Sequence, residues 1–157
     1  MARAYTTRRQ QIVKALVEKL KGINRTGPFL TNVNGNVQPR LLFWDEVESF
    51  PAIHVNAGSE TREYLGGGVK TRFLTITLRC YVKTSGRPGE DNAPEVLDRL
   101  LEDIETVIED NSALAYVDRS TPPQTHGTQQ ITIVNISTDE GVLEPLGVGE
   151  MQIEVRY

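Results

Sequence analysis

A run of glycines is the first feature that could do chemistry, because a phosphate-binding loop sets glycine directly before Lys and then Ser or Thr. In this sequence Val69 separates the glycine run at 66–68 from Lys70. Glu63 stands where the loop would need its first glycine, and no helical pattern follows the run. We therefore interpret the glycines as the tip of a hairpin.

Residues for nucleophilic catalysis are present, but nothing in their spacing organises them. Ser59, His54 and Asp118 could supply a hydroxyl, an imidazole and a carboxylate, yet the sequence has no G-x-S-x-G elbow. The two histidines, His54 and His126, are far apart, and the one cysteine, Cys80, falls on the apolar side of a predicted strand. We expect no catalytic residue, metal or cofactor, with His54 on a polar strand face and His126 in a loop.

The first element that must position any site is a basic helix, predicted at residues 8–21. Thr7 and Gln10 have the spacing of a capping box, and apolar residues follow at helical intervals. The outer face of this helix carries an excess of basic residues, among them Lys14, Lys19 and Lys21.

A second helix, capped by Asn92 and running to about residue 109, is acidic. Glu95 completes the spacing of a second capping box, and an apolar stripe runs from Leu97 to Ile108. The carboxylates around the stripe are those of Asp98, Glu102, Asp103, Glu105, Glu109 and Asp110. We interpret these carboxylates as a solvated or partner-facing surface. Because the first helix is basic and the second is acidic, opposite charges on the two helices could join neighbouring copies.

Alternating residues predict a sheet. The clearest strand, at 72–83, turns five apolar residues toward the helices: Leu74, Ile76, Leu78, Cys80 and Val82. The opposite face is expected to look away from the helices, into solvent, a neighbouring copy or a central channel: Thr75, Thr77, Arg79, Tyr81 and Lys83. Other strands are expected at 41–48, 52–58, 113–118, 130–138, 142–146 and 150–156, with a bulge at 133–134 and a loop at 120–128.

The order of elements indicates an α+β fold in one domain, residues 1–157. Two amphipathic helices pack on one face of a largely antiparallel β-sheet, and a long hairpin with a mobile glycine tip spans 52–83. The formal net charge is −4, which disfavours a dedicated nucleic-acid binder. No apolar run reaches the roughly 20 residues of a membrane-spanning helix, so no membrane partner is expected.

Five stretches follow one another in an order typical of a known family. They are the opening helix at 9–16, residues 50–55 before the glycine tip, the strand at 72–83, the acidic helix at 94–109 and the closing segment 149–157. In these stretches the chain resembles the tail terminator (tail completion) proteins of long-tailed phages, the group that includes the minor tail protein U of lambda-like phages.

The resemblance implies a structural assembly protein and no enzyme. Six copies would form a ring at the head-proximal end of the tail tube, stop tube polymerisation and offer the surface that joins the filled head. Its partners would be other copies of itself, the tail tube protein and a head-completion or connector protein, while DNA passes through without specific binding. It would lie in the virion after assembly in the host cytoplasm. The alternative is a small soluble α+β binding module or enzyme of unknown substrate.

Complementary charge and apolar strand surface are expected to hold the copies together. The strand at 41–48 is predicted to be apolar on both faces around Leu42 and Trp44, which favours burial by a partner. The predicted interface residues are Lys14, Lys19, Lys21, Leu42, Trp44, Arg62, Tyr64, Gly66, Gly67, Gly68, Asp98, Glu102 and Glu105.

Overall fold

A five-stranded sheet carries two helices on one face in the computed structural model, which describes residues 7–157. The first six positions of the predicted domain lie outside the described residues. The helices are α1 (Arg8–Leu20) and α2 (Ala93–Asp110). The strands are β1 (Val37–Gln38), β2 (Ala52–Tyr64), β3 (Lys70–Lys83), β4 (Ala115–Val117), β5 (Thr125–Gly127), β6 (Gln130–Thr138) and β7 (Leu146–Arg156). The predicted α+β class is confirmed.

The sheet has the order β1-β2-β3-β7-β6, and β4 and β5 form a separate pair. The β2–β3, β3–β7 and β6–β7 pairs are antiparallel, and only the short β1–β2 pair is parallel. α1 packs on β2 and β4, whereas α2 packs on β3, β7 and β6. The two helices therefore lie side by side over opposite halves of the sheet.

Local capping explains where both helices begin. The Thr7 hydroxyl accepts the Gln10 N–H at 3.1 Å, and the Gln10 side chain accepts the Thr7 N–H at 3.2 Å. At α2, the Asn92 side chain accepts the Glu95 N–H at 3.0 Å. Such caps satisfy amide groups that have no partner inside the helix, so the predicted starts are confirmed.

The buried face of β3 is the one predicted. Leu74, Ile76, Leu78, Cys80 and Val82 are all buried in one cluster with the apolar stripes of both helices. Burial raises the pKa of the Cys80 thiol to about 12, so this cysteine stays a neutral core residue.

The opposite face is less open than predicted, because residues 40–50 fold across part of it. Tyr81 is buried there, and its hydroxyl donates to the Leu42 carbonyl at 2.7 Å. Arg79 is half-buried and pairs with Glu150 at 3.0 Å. The prediction that Tyr81 faces an open surface was therefore wrong.

The prediction of a strand at 41–48 is also wrong. This segment is irregular, with a single 3-10 turn at Trp44–Glu46. The Glu46 carboxylate accepts the Phe43 N–H at 3.2 Å, which closes the turn locally. Leu42 is held to the sheet by two side chains and not by strand pairing: its N–H donates to His54 Nδ1, and its carbonyl accepts from the Tyr81 hydroxyl.

Three other boundaries differ from the sequence prediction. β2 and β3 stay paired up to Tyr64 and Lys70, so the connection is residues 65–69 and not 59–71. The loop predicted at 120–128 contains β5, which places His126 opposite Tyr116 on a strand. In place of a strand at 142–146, the chain turns and β7 begins at Leu146.

One of the predicted surface carboxylates is buried. Asp103 of α2 accepts hydrogen bonds from the Leu30 and Thr31 N–H groups, the latter at 2.7 Å, and from the Thr31 hydroxyl at 2.5 Å. It ties the segment after α1 to α2, so its role is structural.

We expect His54 to make the fold sensitive to acid. It is buried on the polar face, where its Nδ1 accepts the Leu42 N–H at 3.1 Å, which requires the neutral ring. Burial lowers the pKa of His54 below 6.5, and the charges of Arg40 and Arg79 lower it further. The unfolded chain therefore binds this proton more readily than the folded chain.

We expect this contribution to stability to be complete above the unfolded pKa near 6.5 and to be lost progressively as the pH falls below it. Urea unfolding at pH values from about 7.5 to 5.5 should show a falling midpoint. His54→Gln, which retains an acceptor but does not titrate, should flatten that fall. An unchanged pH dependence in His54→Gln would refute this assignment.

Candidate assembly surfaces

β6 forms one edge of the main sheet and has no partner strand on its outer side among the described residues. Its nine residues contain no charged side chain and no proline. Val134 and Ile136 are 60% and 42% exposed, and the register shifts between Ile133 and Asn135, which confirms the predicted bulge. Soluble proteins usually prevent pairing at an exposed edge strand with charged residues or proline in addition to a bulge. Because β6 has only the bulge, its edge is suited to pairing with another chain.

The opposite edge of the sheet is open along most of β2. β1 pairs only with Ile53 and His54 at the start of that strand. Within the described residues, the later part of β2 has no neighbour on that side, and it carries Glu60, Arg62 and Glu63. Because the two open edges differ in charge, contact between them would join different surfaces of identical chains.

The hairpin tip projects three of the predicted interface features. Tyr64 is 72% exposed, and the Lys70 ammonium lies 5.6 Å from the centre of its ring. Arg62 is exposed and pairs with Glu60 at 2.8 Å. The glycines at 66–68 form a tight turn in which Gly67 and Gly68 have positive φ. The sequence thus placed these residues correctly at a tip, although the tip is shorter than predicted.

Residues 42–44 present exposed aromatic surface beside the sheet. Trp44 is 54% exposed and its neighbour Phe43 is 71% exposed, while Leu42 is half-buried against the sheet. Two adjacent exposed aromatic side chains favour a partner contact. Leu42 serves as the anchor of this surface, and Phe43, which the predicted interface omits, is its most exposed member.

The charged helix faces remain exposed. Lys14 and Lys19 are exposed on α1, and Lys21, just after it, pairs with Glu18 at 3.2 Å. On α2, Asp98 and Glu102 are exposed and Glu105 is half-buried. Both sets lie on the helical side of the sheet, and the structure does not bring the basic and acidic sets together as ion pairs within the described residues.

The face of the sheet opposite the helices is largely neutral and polar. Its register places Thr75 beside Glu154 and Thr77 beside Gln152, and Gln152 beside Asn135. The Arg79 charge on this face is paired with Glu150. Hydroxyl and amide side chains without clustered cations offer little attraction for nucleic-acid phosphates.

The residues considered for catalysis do not assemble. His54 is buried against Leu42, while Asp118 accepts a hydrogen bond from Ser120 at 2.5 Å and contacts His126 at 2.7 Å. These contacts hold the pKa of Asp118 well below its usual range, the Ser120 hydroxyl having the largest effect. The Asp118 carboxylate is therefore engaged by Ser120 and His126, and His54 by the backbone of Leu42.

Residues 7–157 contain no group of three or more side chains placed to hold a metal ion. Among the helices of the described chain, none is long and apolar enough to cross a membrane.

Sequence reasoning missed the open edge of β6. Its lack of charge was visible in the sequence, but its position at an edge was not, because strand order depends on long-range pairing. Phe43 was missed because its segment was assigned to a strand.

Comparison with known proteins gives three findings. The family described as Bacteriophage Tail Tube Terminator Protein matches residues 6–157. Tail tube terminator protein p142 of Escherichia phage T5 is 31% identical over 154 residues, which cover 95% of this chain and 92% of that protein. A chain of the solved structure "Virion of native gene transfer agent (GTA) particle" has a TM-score of 0.58 at 8% identity, covering 97% of this chain and 98% of that one, and so shares the fold.

Proposed function

Because the chain belongs to the bacteriophage tail tube terminator family, we propose that six copies form a closed ring that caps the head-proximal end of the tail tube. Its place among the structural proteins of the phage tail follows from the family. The family also favours this role over the binding module or enzyme considered from the sequence. What we propose beyond the family is that the copies form a ring, that the ring has six members, and that it joins the head.

The observation that supports a ring is that the two open edges of the sheet differ in charge. The neutral edge of β6 and the charged edge of β2 lie at opposite sides of the same sheet. A contact between unlike surfaces leaves each copy with one free surface of each kind, so copies add in one direction until the ring closes. Exposed ion pairs contribute only about 0–1 kcal/mol each, so strand pairing and apolar contact should supply most of the affinity.

The remaining predicted interface residues suit contacts with other proteins. Tyr64 at the hairpin tip is exposed, and so are Trp44 and its neighbour Phe43. We assign these two surfaces to the tail tube protein and to a head-completion or connector protein. The neutral face with Thr75 and Thr77 suits a channel through which DNA passes without being held. The ring would assemble in the host cytoplasm and remain in the virion.

A mass measurement tests the ring. Sedimentation of the chain, alone and with tail tubes, should show a discrete species of six times the 17.5 kDa chain. Val134→Lys with Ile136→Lys should shift that species to monomer, because lysine at an edge opposes strand pairing. Val142→Lys, at an exposed residue of the turn before β7, is the matched control. A chain that stays monomeric at every concentration and in the presence of tubes would overturn the proposal.

The hairpin tip should order on assembly. Ordering a residue costs on the order of 1 kcal/mol, and three consecutive glycines have the most freedom to lose. We expect fast hydrogen exchange at 65–69 in the monomer and slow exchange in the assembled state. Slow exchange at these residues in the monomer would show that the tip is already a fixed turn.

A further inference from the structure

A pocket of about 600 Å³ lies between α1 and the open edge of β2, and we call it the α1–β2 pocket. It is lined by Asn56 and Ala57 of β2, by Val13 and Lys14 of α1, and by Pro39, which follows β1. Pro39 cannot donate to a strand ladder, and β1 pairs only with the start of β2. Within the described chain, the strand position beside the pocket is therefore vacant.

The β6 edge presents an apolar side chain at the height of this pocket. Val55, Leu78, Met151 and Ile136 are opposite one another in successive strands, so they form one row across the sheet. The first three are buried under the helices, and Ile136, at the β6 end of the row, is 42% exposed. Side chains in one row share a face, so Ile136 lies on the helical side. The other end of the row adjoins Asn56 of the pocket.

Strand direction allows the two edges to pair. The β2–β3, β3–β7 and β6–β7 pairs are all antiparallel, so β6 runs opposite to β2. Rotation about a ring axis that runs along the strands preserves the direction of each strand. In such a ring, β6 of one copy meets β2 of the next as an antiparallel pair, with the helices of both copies on the same side. This arrangement places Ile136 at the α1–β2 pocket of the next copy.

The helices carry opposite charges beside these two edges. Pro94 of α2 lies close to Gly141 in the turn after β6, which identifies the side of α2 nearest that edge. Asp98 and Glu105 follow Pro94 by four and eleven residues, so they lie on the same side of the helix. At the β2 edge, the exposed Lys14 lies at the rim of the pocket. Pairing of the edges therefore brings carboxylates of one copy toward an ammonium of the next.

We propose that the α1–β2 pocket receives Ile136 of a neighbouring copy, with its basic rim against the acidic side of that copy's α2. The inference rests on the proposed ring and adds the pocket, the inserted side chain and the strand direction. The charges also select the partner edge. Two β6 edges would set two acidic helices side by side, and like charges across an interface disfavour the wrong pairing.

Cross-linking tests the contact directly. One chain carries Lys14→Cys and Ile136→Cys, and it is treated with a short bismaleimide once sedimentation shows that it associates. We expect single chains to be lost to covalently linked multimers, because the two thiols of neighbouring copies meet at the pocket. Lys19→Cys with Ile136→Cys is the matched control and should remain as single chains, since Lys19 is exposed on the same helix but does not line the pocket. Cys80 is buried and stays unreactive in the folded chain.

Exchange of charge gives a second measurement, by sedimentation of the full chain. Lys14→Glu should weaken association about threefold, because the rim then faces like charges. Lys14→Glu combined with Glu105→Lys should recover association, whereas Lys19→Glu combined with Glu105→Lys should not. Thermal unfolding of each variant checks that the subunit is folded. This exchange decides the case in which Ile136→Cys itself prevents association.

The outcomes separate the pocket from the ring. If the unmodified chain associates and the Lys14 and Ile136 pair cross-links no better than its control, the pocket contact is wrong although the ring stands. Unchanged association in Lys14→Glu, or equal recovery by the Lys19→Glu combination, also overturns the contact. An unmodified chain that never associates overturns both proposals.

Discussion

The Leu78→Asp chain is expected to be unfolded at 25 °C. Leu78 is buried at the centre of β3, paired in register with Val55 on one side and Met151 on the other. Removing the leucine forfeits about 1.5–3 kcal/mol of apolar burial. An uncompensated carboxylate there costs several kcal/mol more, against a total stability of about 5–15 kcal/mol for a domain.

Circular dichroism and urea unfolding measure the effect. Thr77→Asp is the matched control, because it adds the same charge one residue earlier on the half-exposed opposite face. We expect that control to fold with a change within about 1 kcal/mol. If Leu78→Asp folds and Thr77→Asp does not, the two faces of β3 are assigned the wrong way round.

The second large effect is expected from Asp103→Ala, with a loss of about 2–4 kcal/mol. The substitution removes the acceptor of two backbone N–H groups and of the Thr31 hydroxyl. These donors lie against α2, where the loss leaves them poorly paired. The segment after α1 should then detach from α2, and proteolysis within it should accelerate.

Urea unfolding of Asp103→Ala beside Asp98→Ala separates this role from helix charge, since Asp98 is exposed on the same helix. Asp98→Ala should change stability by about 0.5 kcal/mol at most. Asp103→Asn, which keeps one acceptor oxygen, should fall between the two. Equal effects of the Asp98 and Asp103 substitutions would contradict the structural role of Asp103.

Features that depend on neighbouring residues were predictable from the sequence. The Thr7 and Asn92 caps mark the helix starts, and the alternation around Leu78 identifies the buried face of β3. The resemblance to the tail terminator family likewise came from the order of such local patterns. The register shift near Ile133 was predicted because a slip in alternation is itself a local signal.

Features that depend on distant contacts were not predictable. The segment around Leu42 has the composition of a strand, but bonds to His54 and Tyr81 decide its path. Asp103 looks like its exposed acidic neighbours until the segment after α1 folds against it.

Growth of the tail tube in the presence of this chain tests the central claim most directly. The tube protein of the same phage is polymerised with and without the chain, and tube lengths and ends are counted by electron microscopy. Our account predicts that amounts far below one chain per tube subunit arrest elongation, with a ring at one end of each arrested tube. Tubes that elongate at the same rate with the chain present, or a chain that coats tube sides without stopping growth, would contradict it.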